Sequence, residues 1–165
     1  MKCPHCNRSC SVVAGQPRVD ATPNPSDGEI TLNFQFEGIC SREQCRSTIK
    51  TASAEVPMRE LLDEQSADVV ANVKAQHDAA MLGKSDEDRA DFSLDAQEDS
   101  SEQVAASVDC NEGKRWKNGK QRRAKLVSGF RIDAEIRVMC GCGACKAEQT
   151  VSVMYEIEAS EMEEA

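Results

Sequence analysis

Aromatic residues are scarce in this 165-residue chain, which has one Trp, one Tyr and four Phe. A chain so poor in large rings cannot build an extensive core, and short modules of this kind rely on metal or disulfide staples. Long apolar runs are also missing. No stretch approaches the roughly 20 residues needed to cross a bilayer. The start, Met1-Lys2-Cys3-Pro4-His5-Cys6, lacks the apolar segment of a secretion signal, so a cytoplasmic location without membrane contact is expected. Histidine occurs only twice, as His5 and His77. The chain contains no G-x-S-x-G, phosphate loop, dinucleotide fingerprint or H-E-x-x-H. Its carboxylates concentrate in a low-complexity stretch, where a solvated face explains them better than an acid/base pair. These absences predict a protein that is not an enzyme.

What the chain has is cysteine. Nine are present, an odd number that cannot pair completely within one chain. They fall into a repeated plan. Cys3-Pro4-His5-Cys6 is followed by an alternating strand and then Cys40-Ser41-Arg42-Glu43-Gln44-Cys45. Cys110 is followed by a second alternating strand and then Cys140-Gly141-Cys142-Gly143-Ala144-Cys145. Thiolate pairs brought together by a hairpin make a tetrahedral site, which zinc favours. In a chain without an export signal such spacing points to metal before disulfides. The redox rival, a thioredoxin-like C-x-x-C, requires a preceding strand, and none fits before residue 3.

Net charge is −9 but unevenly spread. Residues 55–109 hold fifteen acidic and four basic side chains, while both cysteine-bearing ends are nearly neutral. The fold class expected is small and mainly β with one helix: two tandem zinc-ribbon-like modules joined by a helix and an acidic linker.

Residues 1–54 form the first ribbon. A short strand is expected at Ser11–Ala14 and a loop over Pro17–Gly28. Ile30, Leu32, Phe34 and Phe36 alternate with polar residues as a half-buried strand, and the chain returns over 46–54. Residues 55–83 hold an amphipathic helix opened by Pro57 and closed by Gly83, with Met58, Leu61, Leu62, Val69, Val73 and Met81 on its apolar stripe. That stripe packs either on the first ribbon or on another chain's helix. His77 belongs to the polar face on this reading. Residues 84–109 carry nine acidic and two basic side chains and five serines. Such a segment buries too little to offset its ordering entropy and is expected to be a flexible linker, unless it serves as a docking peptide. Residues 110–165 form the second ribbon, with strands near 130–138 and 151–157 and a frayed acidic end.

Two zinc ions are therefore expected. The first would be held by Cys3, Cys6, Cys40 and Cys45. The repeat aligns Cys6-Asn7 with Cys110-Asn111, which leaves no counterpart of Cys3. Cys142 takes its place, so the second set is Cys110, Cys140, Cys142 and Cys145, with Gly141 and Gly143 easing the tight loop. Cys10 is left over as a buried thiol or a substitute ligand, and His5 points to solvent. All-cysteine sets leave no open coordination position.

One positive functional signal remains. Lys114, Arg115, Lys117, Lys120, Arg122, Arg123 and Lys125 surround Trp116 and an Asn118-Gly119 turn. Phosphates would bind the cations, and a base or sugar would stack on Trp116. The alternative is a solvated loop that balances the acidic stretch.

The two cysteine pairs, with Arg46-Ser47-Thr48-Ile49 following the second, resemble the zinc-binding late-transcription activators of temperate phages, the Ogr/Delta family. Members carry C-P-x-C near the start and C-x4-C before a hydroxyl-rich strand, and some contain two modules. The resemblance implies a phage protein that binds promoter DNA and touches RNA polymerase. The chain departs from the pattern in a longer gap between cysteine pairs, in Pro17–Gly28 where an Arg- and Thr-rich segment would stand, and in its acidity. The function expected is a zinc-binding adaptor or regulator acting on nucleic acid or the transcription machinery. The other reading is a protein-only structural or inhibitory module that docks on another protein through the acidic segment and helix.

Overall fold

The computed structural model describes residues 2–24, 28–109 and 125–165. It is mainly β with one substantial helix. The first sheet contains β1 (Val12–Ala14), β2 (Arg18–Asn24), β3 (Glu29–Cys40) and β4 (Thr48–Pro57). The second contains β5 (Leu94–Asp109), β6 (Lys125–Cys140) and β7 (Glu148–Glu158) in that order. All pairs are antiparallel. In chain order a helix in two pieces separates the sheets, α1 (Met58–Leu62) and α2 (Gln65–Met81), broken where Asp63 takes a φ of 52°.

Strand β3 shows why period two was legible. Its residues alternate without a break between half-buried and buried, so Ile30, Leu32, Phe34, Phe36 and Cys40 all point inward. β6 does the same from Phe130 through Ile132, Ala134, Ile136 and Val138. These inward faces share one core. Tyr155 of β7 stacks on Phe34 at 5.2 Å between ring centroids. Two ribbon-like modules are thus present, but they are joined face to face.

Several expectations are corrected here. The Pro17–Gly28 loop contains strand β2. Pro23 is tolerated there because β2 pairs with β3 alone and is an edge. The supposed linker 84–109 contains β5, paired along its length with β6, so the second module begins at Leu94 and not at residue 110. A bulge between Glu98 and Ser100 shifts the register by one. Ala96 and Gln103 are therefore both buried although their sequence parity differs, which hides the strand from any search for alternation.

Gln103 also ties the sheets together. β1 and β2 both pair with β3 but leave Glu37 between them. The Glu37 N–H donates to Gln103 Oε1 at 3.2 Å, and Gln103 Nε2 donates to the Glu37 carbonyl at 2.8 Å. The helix packs on both modules: α1 lies on β3 and β4 of the first ribbon as expected, and on β7, whereas α2 packs mainly on β6 and β7. The acidic end does not fray either. After a 3-10 turn at Ala159–Glu161, Met162 is buried and β8 (Glu163–Glu164) pairs with β4. The C-terminal segment thereby crosses from the second sheet to the first.

Candidate metal centres

Three tight turns present the cysteines, and they share one backbone device. In each, the residue just after the last cysteine has positive φ: Asn7 at 58°, Arg46 at 50° and Lys146 at 52°. This left-handed residue turns the chain back so that backbone N–H groups face the sulfurs. The second and third turns are copies at the hairpin level. Cys40 N donates to the Ser47 carbonyl and Cys140 N to the Ala147 carbonyl, each at 3.0 Å. The repeat inferred from cysteine spacing is a structural repeat of strand, turn and strand.

At the first centre the sulfurs of Cys3, Cys6, Cys40 and Cys45 lie within 4.8 Å of one another. Cys3 and Cys45 sulfurs are 3.7 Å apart. A tetrahedral site with metal–sulfur bonds of about 2.3 Å requires a spacing of about 3.8 Å, so the donors fit. Cys3 and Cys40 are fully buried. Backbone hydrogen bonding by Cys6, with a further bond from His5 N at 3.4 Å, lowers the Cys3 pKa to about 6. Burial pushes Cys40 up to about 11. Ser47 hydrogen bonds hold Cys45 below the usual thiol value. The side chain of His5 turns away from the sulfurs, and its Nε2 donates to the Thr48 carbonyl at 3.1 Å.

The second centre contains a residue that sequence reasoning placed elsewhere. Cys140, Cys142 and Cys145 come together as expected, but the fourth donor among the described residues is His77 of α2. Its Nδ1 lies 3.4 Å from Cys140 Sγ and 3.6 Å from Cys142 Sγ. With metal–nitrogen bonds of about 2.0 Å and metal–sulfur bonds of about 2.3 Å, a tetrahedron requires about 3.5 Å. Cys142 and Cys145 sulfurs are 3.4 Å apart. Hydrogen bonding by the Ala144 backbone lowers Cys142 to about 6, while burial raises Cys145.

His77 is not on a polar face, since it is only 3% exposed. Val69, Val73, His77 and Met81 recur every four residues, and all are buried. That spacing was available in the sequence and puts His77 on the apolar stripe. Phe92 closes over the imidazole edge-on, with ring centroids 5.6 Å apart. Gln76 exchanges hydrogen bonds with the backbone N–H and carbonyl of Glu148, which fixes the helix over the third turn. Cys110, expected as the fourth ligand, lies outside the described residues.

Comparison with protein family models, curated proteins and solved structures finds no match for this chain. The two donor sets therefore carry the functional argument. Each offers four protein donors to one ion, as in a closed structural site. A surface cleft of about 670 Å³ is lined by residues such as Arg18, Glu37 and Glu161, and by none of the eight donors. No described helix is long and apolar enough to cross a membrane. Lys114, Arg115, Trp116, Lys117, Lys120, Arg122 and Arg123 also lie outside the described residues. Lys125 opens β6, where its Cα pairs with that of Asp109.

Proposed function

We propose that this protein is a non-enzymatic, zinc-binding adaptor of the cytoplasm that acts on nucleic acid or the transcription machinery. The observation that carries the reading is the pair of four-donor sets, one of four cysteines and one of three cysteines with a histidine, whose spacings match tetrahedral zinc. Zinc bound there supplies folding free energy to sheets with few aromatic residues. Four protein donors leave no position for a reacting water, which supports a structural role.

The nucleic-acid part of the reading rests on the basic run around Trp116 and on its place in the chain. That run joins β5 to β6, whose last pair is Asp109 with Lys125. The third cysteine turn is at the opposite end of this hairpin, about 50 Å of strand away at roughly 3.3 Å per residue. In sequence the run follows the end of β5 opposite that turn, and β7 braces the hairpin as far as Gly129. A role like that of the Ogr/Delta activators, with promoter DNA and RNA polymerase as partners, fits this arrangement.

A gel-shift titration against salt tests it. Each neutralised phosphate contributes about −0.9 to the slope of log K against log salt on duplex DNA. Arg122→Ala with Arg123→Ala should weaken binding and reduce the slope by about 1.8. Trp116→Ala should weaken single-strand binding by about 1–3 kcal/mol without changing the slope. A zinc-loaded wild type that binds no DNA or RNA at low salt overturns the nucleic-acid reading.

A further inference from the structure

A fifth sulfur stands beside the first centre. Cys10 is half-buried and packs against the cluster of Cys3, Cys40 and Ile49. Strand register explains its position. Val12 opposes Cys40 in the β1–β3 ladder. Ser11 and Ser41 extend the pairing: Ser41 N donates to the Ser11 carbonyl, and Ser11 N to Ser41 Oγ, each at 3.0 Å. Side chains alternate along a strand, so Cys10, two residues before Val12, returns to the face that carries Cys40. Both side chains therefore lie in the one cluster beside the first centre. Four other thiols already complete the donor set, so coordination does not require Cys10.

We infer that Cys10 and Cys40 form a peroxide-responsive thiol pair whose disulfide releases the metal of the first centre. The inference rests on reading that centre as a zinc–thiolate site. Exposure sets the order of events. Of the two, Cys10 is the reachable sulfur, whereas Cys40 is fully buried. A hydroperoxide converts the Cys10 thiol to a sulfenic acid; with hydrogen peroxide, one water leaves. The Cys40 thiolate then attacks Cys10 Sγ. The sulfur–oxygen bond breaks, and the departing hydroxide takes a proton from solvent as a second water. Each sulfur gives up one electron and the peroxide gains two. Cys40 in a disulfide no longer has a thiolate to offer, and the ion is left with Cys3, Cys6 and Cys45.

The test uses the zinc-loaded full chain, hydrogen peroxide, a chromogenic zinc chelator and peptide mapping of disulfides. Wild type should release zinc as a Cys10–Cys40 disulfide appears, and dithiothreitol with added zinc should reverse both. Cys10→Ser and Cys10→Ala should hold the same zinc beforehand and release it at least ~10-fold more slowly. Release from both variants at the wild-type rate overturns the inference. So does a wild-type map that pairs only Cys3, Cys6, Cys40 and Cys45 among themselves. Metal content measured before oxidant judges the zinc reading separately, and the map judges the thiol pairing on the same sample.

Discussion

His77→Phe isolates the contribution of one ligand. Phenylalanine keeps a ring against Phe92 and fills the space between α2 and the third turn, but offers no donor to Cys140 and Cys142. Structural zinc in small modules contributes an apparent 10–16 kcal/mol, or about 2.5–4 kcal/mol per donor if four share it equally. Losing one donor should weaken the second centre roughly a hundredfold to several hundredfold. Against a competing chelator the variant should retain one zinc equivalent of two. In metal-saturated buffer the loss should lower Tm by about 5–15 °C, at 2–4 °C per kcal/mol for a chain of this size. His77→Cys restores a fourth donor and should regain the second equivalent. Cobalt substitution supplies an independent count, because thiolate-to-metal charge-transfer intensity should correspond to four sulfurs at the first centre and three at the second. Two tightly held zinc ions in His77→Phe, with one lost in Cys110→Ser, would refute the assignment and return the fourth position to Cys110.

Gln103→Leu should destabilise the protein by about 1–3 kcal/mol, because it leaves the Glu37 N–H without its partner between β1 and β2; denaturant unfolding measures this. Met162→Ala should cost about 2–5 kcal/mol by the same assay if the C-terminal segment is docked over the core, and close to nothing if it frays. In metal-free protein at pH 7, Cys142, with a pKa near 6, is largely thiolate, whereas burial keeps the neighbouring Cys145 protonated. Iodoacetamide followed by mass spectrometry should therefore label Cys142 before Cys145, and lowering the pH through 6 should abolish that preference.

The plan of the candidate metal sites was readable because thiol spacing is local chemistry. Cys3-Pro4-His5-Cys6 and the two C-x4-C turns each close within a few residues, and the strands before Cys40 and Cys140 carry uninterrupted alternation. The first donor set followed from those features alone. Strand β5 was not readable from composition. Its buried positions among the described side chains are Ala96 and Gln103, a small residue and an amide, and the bulge at Asp99 breaks their parity. Few large apolar residues mark that strand; backbone pairing with β6, the packing of Leu94 and Ala96 on the core and one amide bridge to Glu37 hold it. The fourth donor of the second centre was partly readable, since the four-residue recurrence of Val69, Val73, His77 and Met81 puts the imidazole on the buried stripe.

The sequence by itself determined the three cysteine turns, the alternating strands that lead into two of them and the helix between the modules. Only the tertiary structure decided that the two sheets share one core, that the acidic segment is a strand, and that a histidine from the helix completes a site begun by three cysteines on a hairpin. The physical reason is range. Knuckle geometry and strand alternation depend on neighbours along the chain. The approach of His77 to Cys140 depends on which sheet α2 packs against, and packing brings together residues separated by more than sixty positions.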